Sequence, residues 1–107
     1  MKNSYKTVKF VVYVPETHAD LVRKVMGEAG AGLVGNYKHC SFSVKGIGRY
    51  TPLDSAHPFI GKSGKLEKVI EERIETVCRQ KDLNKIIKAV KKVHPYEEIA
   101  LDVYPLI

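Results

Sequence analysis

Nothing in this chain approaches the roughly 18 consecutive apolar residues that a membrane-spanning helix needs. Cysteine is scarce too: Cys40 and Cys78 are the only two. They form no CxxC pair and no zinc-finger spacing. They are expected to be buried free thiols, not a disulfide. The start, Met1-Lys2-Asn3-Ser4-Tyr5-Lys6, is basic, but the apolar stretch after it contains Lys9, ends at Pro15 and has no small-residue cleavage site. It reads as a strand and not as a signal peptide, and the expected location is cytoplasmic. Catalytic signatures are missing as well. There is no Ser-His-Asp elbow and no HExxH. Gly46-Ile47-Gly48 has no third glycine at the dinucleotide spacing, and Gly61-Lys62-Ser63 has Ala56 where a phosphate loop needs its first glycine. An enzyme working alone is not supported.

What is present is a chain of 107 residues, 44% hydrophobic and 28% charged, which suits one soluble globular domain spanning 1–107. The formal net charge of +6 permits an acidic partner, but the lysines gather on one helix and no aromatic stacking platform accompanies them. Nucleic acid is therefore not expected. Residues 6–14 alternate, with Val8, Phe10, Val12 and Val14 on one face, as in a strand. Thr17 to Ala29 reads as an amphipathic helix, with Thr17 as N-cap and Gly30 and Gly32 at its end. A second strand is expected over Asn36–Lys45, with Cys40, Phe42 and Val44 inward and Tyr37, His39, Ser41 and Ser43 outward. A loop through residues 46–66 then runs about 20 residues without periodicity, a length that is unusual unless functional. Glu67–Cys78 reads as the third strand and Asp82–Val93 as the second helix, with Leu83, Ile86, Ile87 and Val90 buried. His94-Pro95 ends that helix, and Ile99–Tyr104 is the last strand.

This order is a ferredoxin-like β-α-β-β-α-β sandwich of the α+β class, with a long loop between strands two and three. Both helices would cover one sheet face, against Val8, Phe10, Val12, Cys40, Phe42, Ile74, Leu101 and Val103. The other face would collect Lys9, Val11, Tyr13, His39, Ser41, Ser43, Arg73, Glu75, Asp102 and Tyr104. Too aromatic for a wet surface and too polar for a core, it suits a homo-oligomer interface; a ligand groove touching Tyr37, Ser41 and Tyr104 is the competing account. Across the second hairpin, His39 and Glu75 would face each other as a metal-binding, proton-shuttling or ordinary cross-strand pair. His94 with Glu97 or Glu98 is a second candidate pair, unless His94 is a protonated residue favouring the negative end of the helix dipole.

One ordered series points to a family: Gly35-Asn36-Tyr37-Lys38-His39-Cys40-Ser41-Phe42-Ser43, Pro58-Phe59-Ile60-Gly61, Gly64-Lys65-Leu66-Glu67, Arg73-Ile74-Glu75-Thr76, His94-Pro95-Tyr96-Glu97-Glu98 and Asp102-Val103-Tyr104-Pro105-Leu106. From about Val11 onward the chain resembles the inserted domain of bacterial YqfO-type proteins, members of the Nif-three-like family. The resemblance implies a stand-alone version of a fold similar to the signalling protein PII and the divalent-cation-tolerance protein CutA. It also implies a dimer or trimer, a partner-contacting loop at 46–66, and a divalent-metal role for His39, Glu75, His94 and Glu97. It carries over no hydrolase or cyclohydrolase activity, because the family's two-metal site lies in a flanking domain that 107 residues leave no room for. Three readings stay open: a small oligomeric binding or regulatory module, a purely structural interaction domain, and an enzyme using histidine–glutamate acid–base chemistry.

Overall fold

The computed structural model describes residues 6–107. β1 (Thr7–Pro15) leads through a single 3₁₀ turn (Glu16–His18) into α1 (Ala19–Glu28). β2 (Phe42–Tyr50) and β3 (Glu67–Arg79) follow, then a second 3₁₀ turn (Gln80–Asp82), α2 (Leu83–Val93) and β4 (Leu101–Pro105). The sheet is antiparallel throughout, in the order β2-β3-β1-β4. It has the expected ferredoxin-like order, with a loop of residues 51–66 between β2 and β3.

The alternation of β1 sends Val8, Phe10, Val12 and Val14 toward the helices, where all four are buried. Val22 and Met26 of α1 and Ile86 and Val90 of α2 meet them, with Ile74 and Cys78 of β3. Leu101 and Val103 of β4 pack at the margin. Burying side chains of this size stabilises by about 1.5–3 kcal/mol each. Arg23 ties α1 to the sheet: its guanidinium donates to the Glu72 carboxylate and, at 3.0 Å, to the Ser43 hydroxyl.

Three expectations are corrected. α1 starts two residues after Thr17, which caps nothing and instead pairs its hydroxyl with the His18 ring. β4 begins at Leu101, leaving Ile99 as a partly buried residue beside the core. The largest change concerns β2. Residues 34–37 form a tight turn closed by the Val34–Tyr37 bridge, and His39 adopts a φ of 60° that no strand tolerates. Cys40 is instead held by its backbone N–H, which donates to the Gly32 carbonyl, and its own carbonyl accepts from the Thr76 hydroxyl. Extension starts only at Phe42 and continues through Gly46 and Gly48 to Tyr50.

That shift also inverts the strand. Phe42 lies opposite Glu75 and Val44 opposite Arg73, on the face away from the helices. Phe42 is 63% exposed and Val44 50%. Ser43, opposite Ile74, lies on the helix side under Arg23. The outer face therefore holds Lys9, Val11, Tyr13, Arg73, Glu75, Asp102 and Tyr104 as expected, but Phe42 and Val44 in place of His39, Ser41 and Ser43.

Candidate functional site

The loop after Tyr50 folds back on the outer sheet face and is pinned at three points. The Tyr50 hydroxyl donates to the Ile60 carbonyl at 2.5 Å. The His57 backbone N–H donates to the Glu97 carboxylate at 2.7 Å. The Phe59 ring meets the His18 ring edge-on, with centroids 5.5 Å apart. Within the arm, Gly64 N–H donates to the Pro52 carbonyl at 2.7 Å, and Ser63 donates to Asp54. Gly61 and Gly64, at φ of 109° and 75°, make the reversals that a side chain would resist.

Between this arm and the sheet lies a groove of about 690 Å³. Tyr13, Gly48 and Glu71 come from the sheet, Pro52 and Phe59 from the arm, and Tyr96, Glu97 and Glu98 from the segment after α2. Pro95 explains how that segment gets there. Ahead of a proline, His94 leaves the helical region (φ −70°, ψ 131°), so the chain turns sharply toward the sheet. His94 is buried. One ring nitrogen, Nδ1, accepts the Tyr96 backbone N–H at 3.2 Å, so the proton sits on Nε2, which donates to the Tyr13 carbonyl at 2.7 Å. Burial lowers the pKa of this imidazole, which stays neutral.

Tyr96 then reaches Glu71, its hydroxyl donating to Oε2 at 2.8 Å. Burial first, then the Glu71 carboxylate, raise the Tyr96 pKa well above the ordinary phenol value, so this group remains a donor. The Tyr50 ring approaches Tyr96 at a centroid distance of 6.0 Å, and burial raises its pKa as well. Gly48 leaves open the space that the Glu71 carboxylate fills; a Cβ there would push that carboxylate aside.

The candidate residues read from the sequence are distributed around the molecule. His39 lies over Gly27 of α1, beside a cleft of only about 10 Å³ that Ser41 also lines. Glu75 pairs with Lys9 at 3.3 Å and Arg73 at 2.6 Å, and its strand neighbour is Phe42. Tyr37 is 74% exposed in the 34–37 turn, and Tyr104 stands on the outer face opposite Lys9. Only His94, Glu97 and Glu98 belong to the groove end, the first beneath it with both nitrogens engaged, the other two in its wall. Among the described residues, no group of three or more His, Cys, Asp or Glu is placed to hold a metal ion, and no helix is long and apolar enough to cross a membrane. Tyr13, Gly48, Tyr50, Glu71 and Tyr96 went unassigned. The aperiodic loop and the His-Pro-Tyr-Glu-Glu run signal part of that group, and the alternation of β1 turns Tyr13 to the outer face; Glu71 has no local signature.

No family model matches the chain. It is 52% identical over 98 residues to the GTP cyclohydrolase 1 type 2 homolog of Halalkalibacterium halodurans, covering 92% of this chain and 26% of that protein. The Bacillus subtilis protein of the same name is 51% identical with the same coverage. The chain thus spans about a quarter of the length of the curated relatives it matches. Among solved structures, a Bacillus cereus protein related to NIF3 superposes with a TM-score of 0.83 at 48% identity, over 98% of this chain and 27% of that one. The periplasmic divalent cation tolerance protein CutA of Archaeoglobus fulgidus gives 0.67 at 16% identity, over 94% of this chain and 83% of that one, a likeness of fold alone. Sequence and fold agree that this chain is similar, over nearly its whole length, to one segment of NIF3-related proteins, and that it has the CutA-like fold.

Proposed function

We propose that the chain is a small oligomeric binding or regulatory module whose ligand site is the groove between the arm and the sheet. One observation carries this reading: the arm is fastened at three separate points around a volume of about 690 Å³. That volume is in the range of small-molecule sites, about 300–1,000 Å³, and a few polar groups converge on walls that are mostly apolar or aromatic, as such sites require. Acid–base catalysis has less support. His94 offers no free ring nitrogen, and His39 does not line the groove. A divalent metal at His39, Glu75, His94 and Glu97 would need those residues to converge, and a single chain does not bring them together. The cation tolerance named for the CutA neighbours motivates a metal arm in the test all the same.

Isothermal titration against nucleotides, small amphipathic organic molecules and Zn²⁺, Cu²⁺ and Mn²⁺ tests the reading. At least one organic ligand is expected to bind, and its binding is expected to weaken in Tyr96→Phe and Glu71→Ala variants. Silence across the whole panel would sink the ligand reading and leave a structural interaction domain. Binding untouched by both substitutions would move the site out of the groove.

A further inference from the structure

We infer that the ligand of this groove is a small organic cation: an amine or alkylammonium group carried on an apolar or aromatic body. The inference rests on the groove being a ligand site and adds its chemical class. The chain as a whole is basic, with 18 Lys and Arg against 12 Asp and Glu. The groove reverses that balance, with the carboxylates of Glu71, Glu97 and Glu98 against the single guanidinium of Arg49. A concave site of one sign with low-dielectric walls concentrates ions of the other sign. An anion would face three like charges and one opposing one.

The walls suit the same class. Tyr13, Tyr50, Tyr96 and Phe59 line the groove, and aromatic rings attract an ammonium over their faces, the more so as water is excluded. Glu71 is also prepared for a donor. The Tyr96 hydroxyl occupies Oε2, while Oε1 has no hydrogen-bond partner among the described residues and lies over the backbone of Gly48. Adding a ligand N–H to that oxygen completes a charge-assisted pair without breaking an existing bond. A bare metal ion fits poorly: the volume is far larger than an ion, and the three-donor cluster is missing among the described residues.

Three isosteric probes test this on the full chain: 3-phenylpropylamine, 3-phenylpropanol and 3-phenylpropanoate, followed by the backbone amide shifts of Gly48, Tyr50, Phe59 and Tyr96. The amine is expected to bind about tenfold tighter than the alcohol, a difference near 1.4 kcal/mol, and the carboxylate weakest. The preference should shrink with added salt, and again in Glu98→Gln, an exposed position whose substitution does not threaten the fold, and in Glu71→Gln. If the alcohol or the carboxylate shifts these amides at least as strongly as the amine, the cation class is overturned while the groove stands as a site. If none of the three perturbs them, both readings fail.

Discussion

His94 joins the end of α2 to the sheet through two backbone partners, the Tyr13 carbonyl and the Tyr96 N–H. Both bonds need the neutral imidazole with its proton on Nε2. Because burial lowers its folded-state pKa below the usual 6.5, the unfolded chain takes up a proton first as the solution is acidified. The His94 contribution is therefore complete above pH 6.5 and is lost as the pH falls from there through the lowered folded value. Chemical denaturation at a series of pH values between about 7.5 and 5 should show stability falling over that window. His94→Ala should cost about 2–4 kcal/mol at neutral pH, from the lost packing and the two stranded backbone groups, with the penalty shrinking toward acid. A penalty independent of pH would refute the neutral assignment. The proline stop was legible in the letters His-Pro. The burial was not, because it is created by Tyr13, 81 residues away in sequence. Gly48 makes the same point: a glycine in an aperiodic stretch reads as loop, whereas in the fold it is a strand residue that leaves room for Glu71. Gly48→Ala should displace that flexible carboxylate and break its bond with Tyr96, seen as a lowered phenol pKa for Tyr96 in a spectrophotometric titration. An unchanged Tyr96 titration would show that Glu71 is not held there.

At the level of elements, β1, α2 and most of β3 were readable because each buries one face, and burial writes its period into the sequence. The stripe of Ile86 and Val90 follows α2 closely. β2 was misread because it is an edge strand that buries neither face in this chain, so period two says which residues share a face but not which way that face points. The arm is likewise invisible to periodicity, since it is shaped by individual bonds. Its strongest sheet anchor, the Tyr50 hydroxyl on the Ile60 carbonyl, is a single removable atom. Tyr50→Phe should leave global stability within about 1 kcal/mol of the parent, yet raise local opening of residues 51–66. Amide exchange at Ala56 and Gly64, which bond to Leu53 and Pro52, should quicken several-fold, while that of core residues such as Phe10 and Ile74 should not. Equal acceleration in arm and core would mean the arm is part of the global cooperative unit.

The whole molecule presents an outer sheet face that one chain leaves unfinished. The alternation of Phe42 and Val44 is genuine, but these side chains point to solvent, beside the Lys9–Glu75–Arg73 charge chain, which is already internally paired. Tyr104 adds a further half-exposed aromatic on the same face. A lone exposed apolar residue needs no explanation, but a row of them on a regular edge strand does. The proposed homo-oligomer supplies one, with neutralised charges and apolar rows meeting a second copy. Light scattering on the eluting protein should then give two or three times the 12.0 kDa of the chain. Val44→Glu sets the two accounts apart. On a free surface it is worth no more than about 0.5 kcal/mol and changes no mass. In an interface it buries one more carboxylate in every copy, beside an Arg73 that Glu75 already engages, and a penalty of several kcal/mol per uncompensated charge exceeds what a small interface can absorb. The variant should elute at 12.0 kDa and melt at a temperature that no longer depends on protein concentration, whereas the parent should melt higher as concentration rises. A parent already at 12.0 kDa at tens of micromolar, with a concentration-independent melt, would leave Phe42 and Val44 to a different partner and remove the oligomer from the proposed function.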